Sequence, residues 1–170
     1  MQLRTFDSVL LPTDGSEVAE AAAPYAARIA ATFDATLYAI YVVDVDAVSP
    51  SLGAERLDRL ETGRFSEMTE VHERAAGSID PVRDVAAAEG LAIEPVIEVG
   101  VPHRAIVEFA ESEDVDLIAM TSHGRGGVRR TLLGSVTERV ARSTRAPVLV
   151  VDADGEPIDA GVASAGREPV

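Results

Sequence analysis

Short unbroken runs of aliphatic residues alternate along this chain with stretches whose apolar positions recur every three or four residues. That alternation leaves few folds open, because strands joined by helices must run parallel and their crossovers are right-handed. The first run, Val9-Leu10-Leu11, ends at Pro12-Thr13-Asp14-Gly15. Ser16 then stands where a helix N-cap is expected, with Glu17 and Glu20 in the first turns and Val18, Ala22, Tyr25, Ala26, Ile29 and Phe33 on one face. Leu37 to Val43 predicts a second strand that stops at Asp44, followed by a loop from Asp46 to Gly53 that contains Ser49-Pro50-Ser51. A long helix is expected next, with Phe65, Met68, His72, Ala75, Ile79, Val82 and Ala86 on its inward seam and a kink or break near Asp80 caused by Pro81. Leu91 to Val99 predicts the third strand, closed by Gly100, and Pro102 suits the first turn of a helix that carries Ile106, Val107, Phe109 and Ala110 inward. Asp116 to Thr121 and Pro147 to Val151 predict the last two strands, with a short helix from Ser135 to Ser143 between them.

Five strands and four helices in this order predict an α/β fold, a three-layer sandwich around a five-stranded parallel sheet. Residues 1–152 read as one domain, which a chain of 170 residues can build around a sizeable core. Residues 153–170 lack periodicity and read as a disordered acidic tail.

Composition removes several classes of function. The absence of cysteine excludes a disulfide framework, a thiolate zinc site and a cysteine nucleophile. A formal net charge of −14 repels phosphate backbones and argues against nucleic-acid binding. Every basic residue is arginine, so neither a P-loop lysine nor Schiff-base chemistry is available. Acidic excess without lysine suits a halophile-like protein in high intracellular salt, with ordinary acidic drift as the alternative. No stretch reaches the roughly 18 apolar residues of a membrane span, and no apolar segment follows Arg4 as in an export signal. A cytoplasmic location away from membranes is the expectation.

The segment TSHGRGGVRRTLLGS, from Thr121 to Ser135, leaves a strand and enters a helix. Its glycines let backbone approach a phosphate closely, and the first amides of the helix, near Gly134, Ser135 and Val136, face an anion with the helix dipole behind them. Ser135 and Thr137 offer hydroxyl donors, and Arg125, Arg129 and Arg130 form a positive exception in an acidic chain. Glycine-rich connections are also common, and clustered arginines often pair with surface carboxylates, so spacing alone leaves both readings open. Asp14, in the loop after the first strand, is suited to holding Mg²⁺ through water or accepting a ribose hydroxyl; its plain structural role would be an Asx turn that starts the next helix. His72 and His103 read as packing or capping residues, His123 as a candidate ligand contact, and the three lack zinc-site spacing. The acidic run Glu111, Glu113, Asp114 and Asp116 reads as a solvated face without calcium-loop spacing.

With these residues in view, the chain resembles the universal stress protein family. The likeness rests on VLLPTDGSEVAEAAAPYAARIA, on IYVVD, on Ile97-Glu98-Val99-Gly100 and on LIAMTSHGRGGVRRTLLGSVTERVARSTRAPVLVV, and spans Thr5 to Val151. Nucleotide-binding members share glycine, two residues, glycine, nine residues, glycine, then serine or threonine. Here Gly124, Arg125 to Leu133, Gly134 and Ser135 fit, while Thr121 replaces the first glycine and adds a side chain at that position. The resemblance implies the flavodoxin-like or Rossmann-like strand order 3-2-1-4-5 and a site for ATP, with AMP as the alternative and Mg²⁺ near Asp14. It implies that Pro12, Thr13 and Asp14 line the nucleotide and that Val42 and Val43 contact the adenine beside Met120, with Val99 and Gly100 near the same edge. Thr121, His123, Gly124, Arg125, Gly134, Ser135, Val136 and Thr137 would hold the ribose and phosphates. It also implies a homodimer through the strand Pro147 to Val151, an apolar edge without a charged gatekeeper. A nucleotide-binding regulatory protein with an unknown protein partner and at most slow hydrolysis is the leading expectation. The alternatives are a nucleotide-free dimeric interaction protein and an adenylating enzyme; the Ser-Gly-Gly pyrophosphate loop usual for the latter is replaced here by Pro12-Thr13-Asp14-Gly15-Ser16.

Overall fold

The aliphatic runs become five parallel strands: β1 (Ser8–Thr13), β2 (Thr36–Asp44), β3 (Ile93–Gly100), β4 (Leu117–Thr121) and β5 (Val148–Val151). This computed structural model describes residues 5–48, 53–55, 58, 62, 69–122 and 133–152. The sheet order is β3-β2-β1-β4-β5, the order that the family resemblance implied. Its helices, among the described residues, are α1 (Glu17–Glu20), α2 (Ala23–Phe33), α3 (Val45–Val48), α4 (Thr69–Ala88), α5 (Pro102–Ser112) and α6 (Ser135–Ser143).

Successive strand residues face opposite sides of the sheet, so each central strand feeds two cores. Val9, Leu11 and Ala119 pack with Ala26 and Ala30 of α2 and with Ile79 and Val82 of α4 on one side. Leu10, Ile118 and Met120 pack with Ile106 and Ala110 of α5 and with Val140 of α6 on the other. The three-layer sandwich follows from that division.

The structure corrects several local expectations. The helix expected from Ser16 to Phe33 is two pieces, because Pro24 has no N–H to continue the ladder and instead opens α2 in its first turn. Pro81, by contrast, does not break α4, which runs unbroken from Thr69 to Ala88; Gly77 simply loses its i+4 donor. Ala75, Ile79, Val82 and Ala86 form the buried seam of α4, whereas His72, expected on that seam, is exposed. β3 begins at Ile93 and not at Leu91: Gly90 turns left-handed at φ +76°, and the Leu91 amide closes the end of α4 on the Ala86 carbonyl at 2.9 Å. The loop expected from Asp46 to Gly53 is helical in its first part, where α3 spans Val45–Val48 and Asp44 Oδ1 accepts the Asp46 and Ala47 amides at 3.0 and 3.4 Å; its Ser49-Pro50-Ser51, the seam residues Phe65 and Met68 and the tail 153–170 lie outside the described residues.

At the amino-terminal edge of the sheet, one carboxylate joins β1 to the start of β4. Oδ2 of Asp116 accepts the amides of Asp7 and Ser8 at 2.9 and 3.1 Å, and the Asp116 amide donates to Ser8 Oγ at 3.2 Å.

Candidate functional site

Between β1 and β4 the winding of the sheet reverses. Their ladder pairs Val9 with Leu117 and Leu10 with Ile118, so it lies near the amino-terminal ends of the strands. In doubly wound sheets the crevice beyond the carboxyl ends at such a reversal is the usual ligand site. A cavity of about 630 Å³ occupies that place here. The volume falls within the range of small-molecule and cofactor sites.

Of the residues expected in the site, Pro12, Thr13, Asp14, Val42, Val43, Met120, Thr121, Gly134, Ser135, Val136 and Thr137 line this cavity. Val99 and Gly100 do not: Val99 packs beside Val43 and Ala75, and Gly100 ends β3 opposite Asp44. His123, Gly124 and Arg125 lie outside the described residues, as do Arg129 and Arg130. His103, in the first turn of α5, is half-buried and does not line the cavity.

One wall is the turn after β1. Asp14 Oδ1 accepts the Ser16 amide at 2.9 Å and also the Ser16 hydroxyl, and Thr13 Oγ1 accepts the Gly15 amide at 3.1 Å. Ser16 in turn caps α1, its Oγ accepting the Ala19 amide at 3.2 Å. Asp14 therefore performs the Asx-turn role while also lining the cleft. Gly15 is at φ +75°, and a Cβ built there would meet Ser78 Oγ of α4 at 2.6 Å. Only glycine allows the turn and the helix to approach this closely.

The opposite wall is the start of α6. Gly134 is its N-cap in an extended conformation, and no side chain caps it. The amides of Ser135, Val136 and Thr137 thus open on the cleft without a capping partner among the described residues. Thr137 Oγ1 does not serve as an outward donor; it is buried and donates to the Thr121 carbonyl at 2.8 Å, fastening α6 to the end of β4. The Gly134 amide likewise donates to the Ser122 carbonyl, and the Ser122 amide to Val151 at 2.7 Å. The helix opening is held in place by bonds that leave its first free amides facing the cavity.

The floor is apolar, built from Ile40, Ile106 and Met120, with Val42 beside them. Sequence reasoning missed Ile40, Tyr41, Asp44, Pro102 and Ile106, which line the cavity from neighbouring strand and helix ends, and Arg74 and Ser78, which reach it from α4. No local motif marks Arg74; the amphipathic phase of α4 places it one position before buried Ala75, which is the available signal. Asp44 Oδ1 accepts the Asp46 amide at 3.0 Å, so it too is a turn former. Among the described residues there is no group of three or more histidine and acidic side chains able to hold a metal, and no helix long and apolar enough to cross a membrane.

Fold and cleft together define a doubly wound α/β protein with a ligand crevice at its switch point. A model of the universal stress protein family matches residues 5–152, and the chain belongs to that family. It is 42% identical over 146 residues to universal stress protein MJ0531 of Methanocaldococcus jannaschii, covering 86% of this chain and 82% of that one. Universal stress protein MJ0577 of the same organism is 33% identical over 153 residues, covering 86% and 94% of the two chains. The solved structure of MJ0577 superposes with a TM-score of 0.69 at 30% identity over 88% of this chain and 97% of its own. A universal stress protein in complex with cAMP superposes with a TM-score of 0.63 at 26% identity, over 88% and 99%.

Proposed function

We propose that this protein binds an adenine nucleotide in the switch-point cleft and acts as a regulatory stress protein, with ATP as the first ligand to test and AMP or a cyclic nucleotide as alternatives. The observation that carries this reading is the pairing of uncapped amides at Ser135, Val136 and Thr137 with an apolar floor of Ile40, Ile106 and Met120 in one cavity. The floor suits a purine face, and the amides with the positive end of the α6 dipole suit phosphate oxygens. The cAMP complex of the related protein supports the choice of base.

These residues also fit Mg²⁺ in the limited sense that the ion is commonly held by one or two carboxylates and the phosphates themselves. Asp14 would be the water-mediated carboxylate, and the ion would supply charge neutralisation. The chain's own residues orient rather than react: Asp14 and Asp44 are both engaged as turn formers, and no histidine among the described residues lines the cleft. Any hydrolysis is accordingly expected to be slow.

The reading extends to a homodimer that pairs β5 with its symmetry mate, to an unidentified protein partner responsive to occupancy, and to a cytoplasmic setting for a domain spanning residues 1–152. Support for the dimer comes from β5 itself, four aliphatic residues on an edge of the sheet with Val148, Leu149 and Val150 only half-buried.

Thermal unfolding in high salt tests the core of the proposal. ATP at about 100-fold over its dissociation constant stabilises by about 2.7 kcal/mol, roughly a 5–10 °C rise in Tm for a domain of this size. Absence of a shift with ATP, AMP and cAMP in correctly folded protein refutes nucleotide binding. Mass spectrometry of nucleotide released from the purified protein separates the proposal from a nucleotide-free interaction protein, the reading that the self-satisfied turn at Thr13 to Ser16 favours.

A further inference from the structure

Resting on the nucleotide reading, the ranking of ligands in the cleft turns on which charged side chains reach it from outside the glycine segment. Arg74 lines the cavity from α4 and is its single basic lining residue among the described residues. Among the described arginines, Arg28, Arg83 and Arg142 pair with Glu89, Asp80 and Glu138 at 3.4, 3.6 and 3.0 Å. Arg74, like Arg104, Arg139 and Arg145, makes no such pair among the described residues, although Glu70 stands four residues earlier on the same helix; of these four, Arg74 is the one that lines the cavity.

Helix direction explains where the side chain goes. α4 returns from the carboxyl end of β2 to the amino end of β3, and its Ala75 packs on Val43 near the end of β2. Helical side chains lean toward the helix amino terminus, so Arg74 leans past the strand ends, toward the crevice. Ser78, one turn on, is fixed against Gly15 and donates to the Arg74 carbonyl at 2.9 Å, which locates this turn of α4 beside the loop that carries Asp14. The α6 amides and Arg74 thus line one cavity from separate elements.

We propose that Arg74 recognises the phosphate end of the bound nucleotide, so that the cleft ranks ligands by their phosphate charge. A guanidinium presents a planar fork of donors matched to phosphate oxygens, and at an otherwise acidic site its contribution grows with the negative charge it meets. Adenosine, lacking phosphate, is bound without its help.

The experiment is calorimetric titration with ATP, AMP and adenosine of wild type, Arg74→Gln, Arg74→Met and Arg83→Gln, each checked for an unchanged melting temperature without ligand. Arg83 is the control, a paired arginine on the same helix that does not line the cleft. The expected result is a loss of at least about tenfold in ATP affinity for both Arg74 variants, the scale of one charge-assisted hydrogen bond, a smaller loss for AMP, and adenosine within about twofold of wild type. The inference is overturned if ATP affinity is retained, if ATP and adenosine weaken together, or if Arg83→Gln weakens ATP equally, which would assign the effect to net charge. Failure of wild type to bind any of the three ligands, by contrast, removes the nucleotide reading itself.

Discussion

The two walls of the cleft are built on opposite plans. The turn after β1 is closed by local hydrogen bonds: Thr13 Oγ1 accepts the Gly15 amide, Asp14 Oδ1 the Ser16 amide and Ser16 Oγ the Ala19 amide, and Gly15 seats the turn against Ser78. The opening of α6 is tied from behind: Thr137 and Gly134 bond back to Thr121 and Ser122, while the first amides have no capping partner among the described residues. Rigidity on one side and unmet hydrogen-bonding capacity on the other is what a preorganised ligand site needs, because the fixed wall limits the ordering cost of binding. Stability should therefore be sensitive to the first wall and affinity to the second.

Three substitutions probe that division. The largest effect is expected at Gly15→Val, which places a β-branched residue at φ +75° with its Cβ against Ser78 Oγ. Strain and overpacking together predict a loss of about 3 kcal/mol of folding stability, read from urea unfolding in high salt. A loss below about 1 kcal/mol would show that the turn and α4 are not tightly joined. Second, Ser135→Pro removes one amide hydrogen from the open wall at the helix position where proline is best tolerated, after a Gly134 already at φ −61° and ψ 153°. Folding stability should change by no more than about 0.5 kcal/mol while nucleotide binding weakens by about 2 kcal/mol, the loss of a hydrogen bond to a charged group. Equal losses in both would dissolve the contrast between the walls. The smallest effect is expected at Ser16→Ala, which removes the α1 cap: a loss of about 1 kcal/mol in stability, with affinity following only as far as Asp14 loses its anchor.

The same contrast governs how much could be read from the sequence. Strand runs and the Ala75, Ile79, Val82 and Ala86 part of the α4 seam follow from periodicity, and Ser16 follows from cap chemistry, because each depends on neighbours close in the chain. The glycine-to-serine segment marked the open wall for the same reason, Gly134 and Ser135 being adjacent. Where the outcome depended on packing between distant elements, the sequence was silent. Arg74 and Ser78 reach the cleft only because α4 lies across the end of β2, and Gly15 needs to be glycine because of a serine more than sixty residues away. Thr137 illustrates the middle case: its hydroxyl was legible as a donor, yet its recipient is the Thr121 carbonyl and not a ligand. Pro24 and Pro81 are the reverse lesson, since the same ring divides one helix and leaves the other whole.

The Asp116 carboxylate, far below the cleft, decides how the crevice can respond. With β1 and β4 joined at their starting ends, parting them there like the leaves of a book would break the Asp116 bonds to Asp7 and Ser8. A response to an occupant that leaves these bonds intact falls on the other end of the cleft, where α4 and α6 line it.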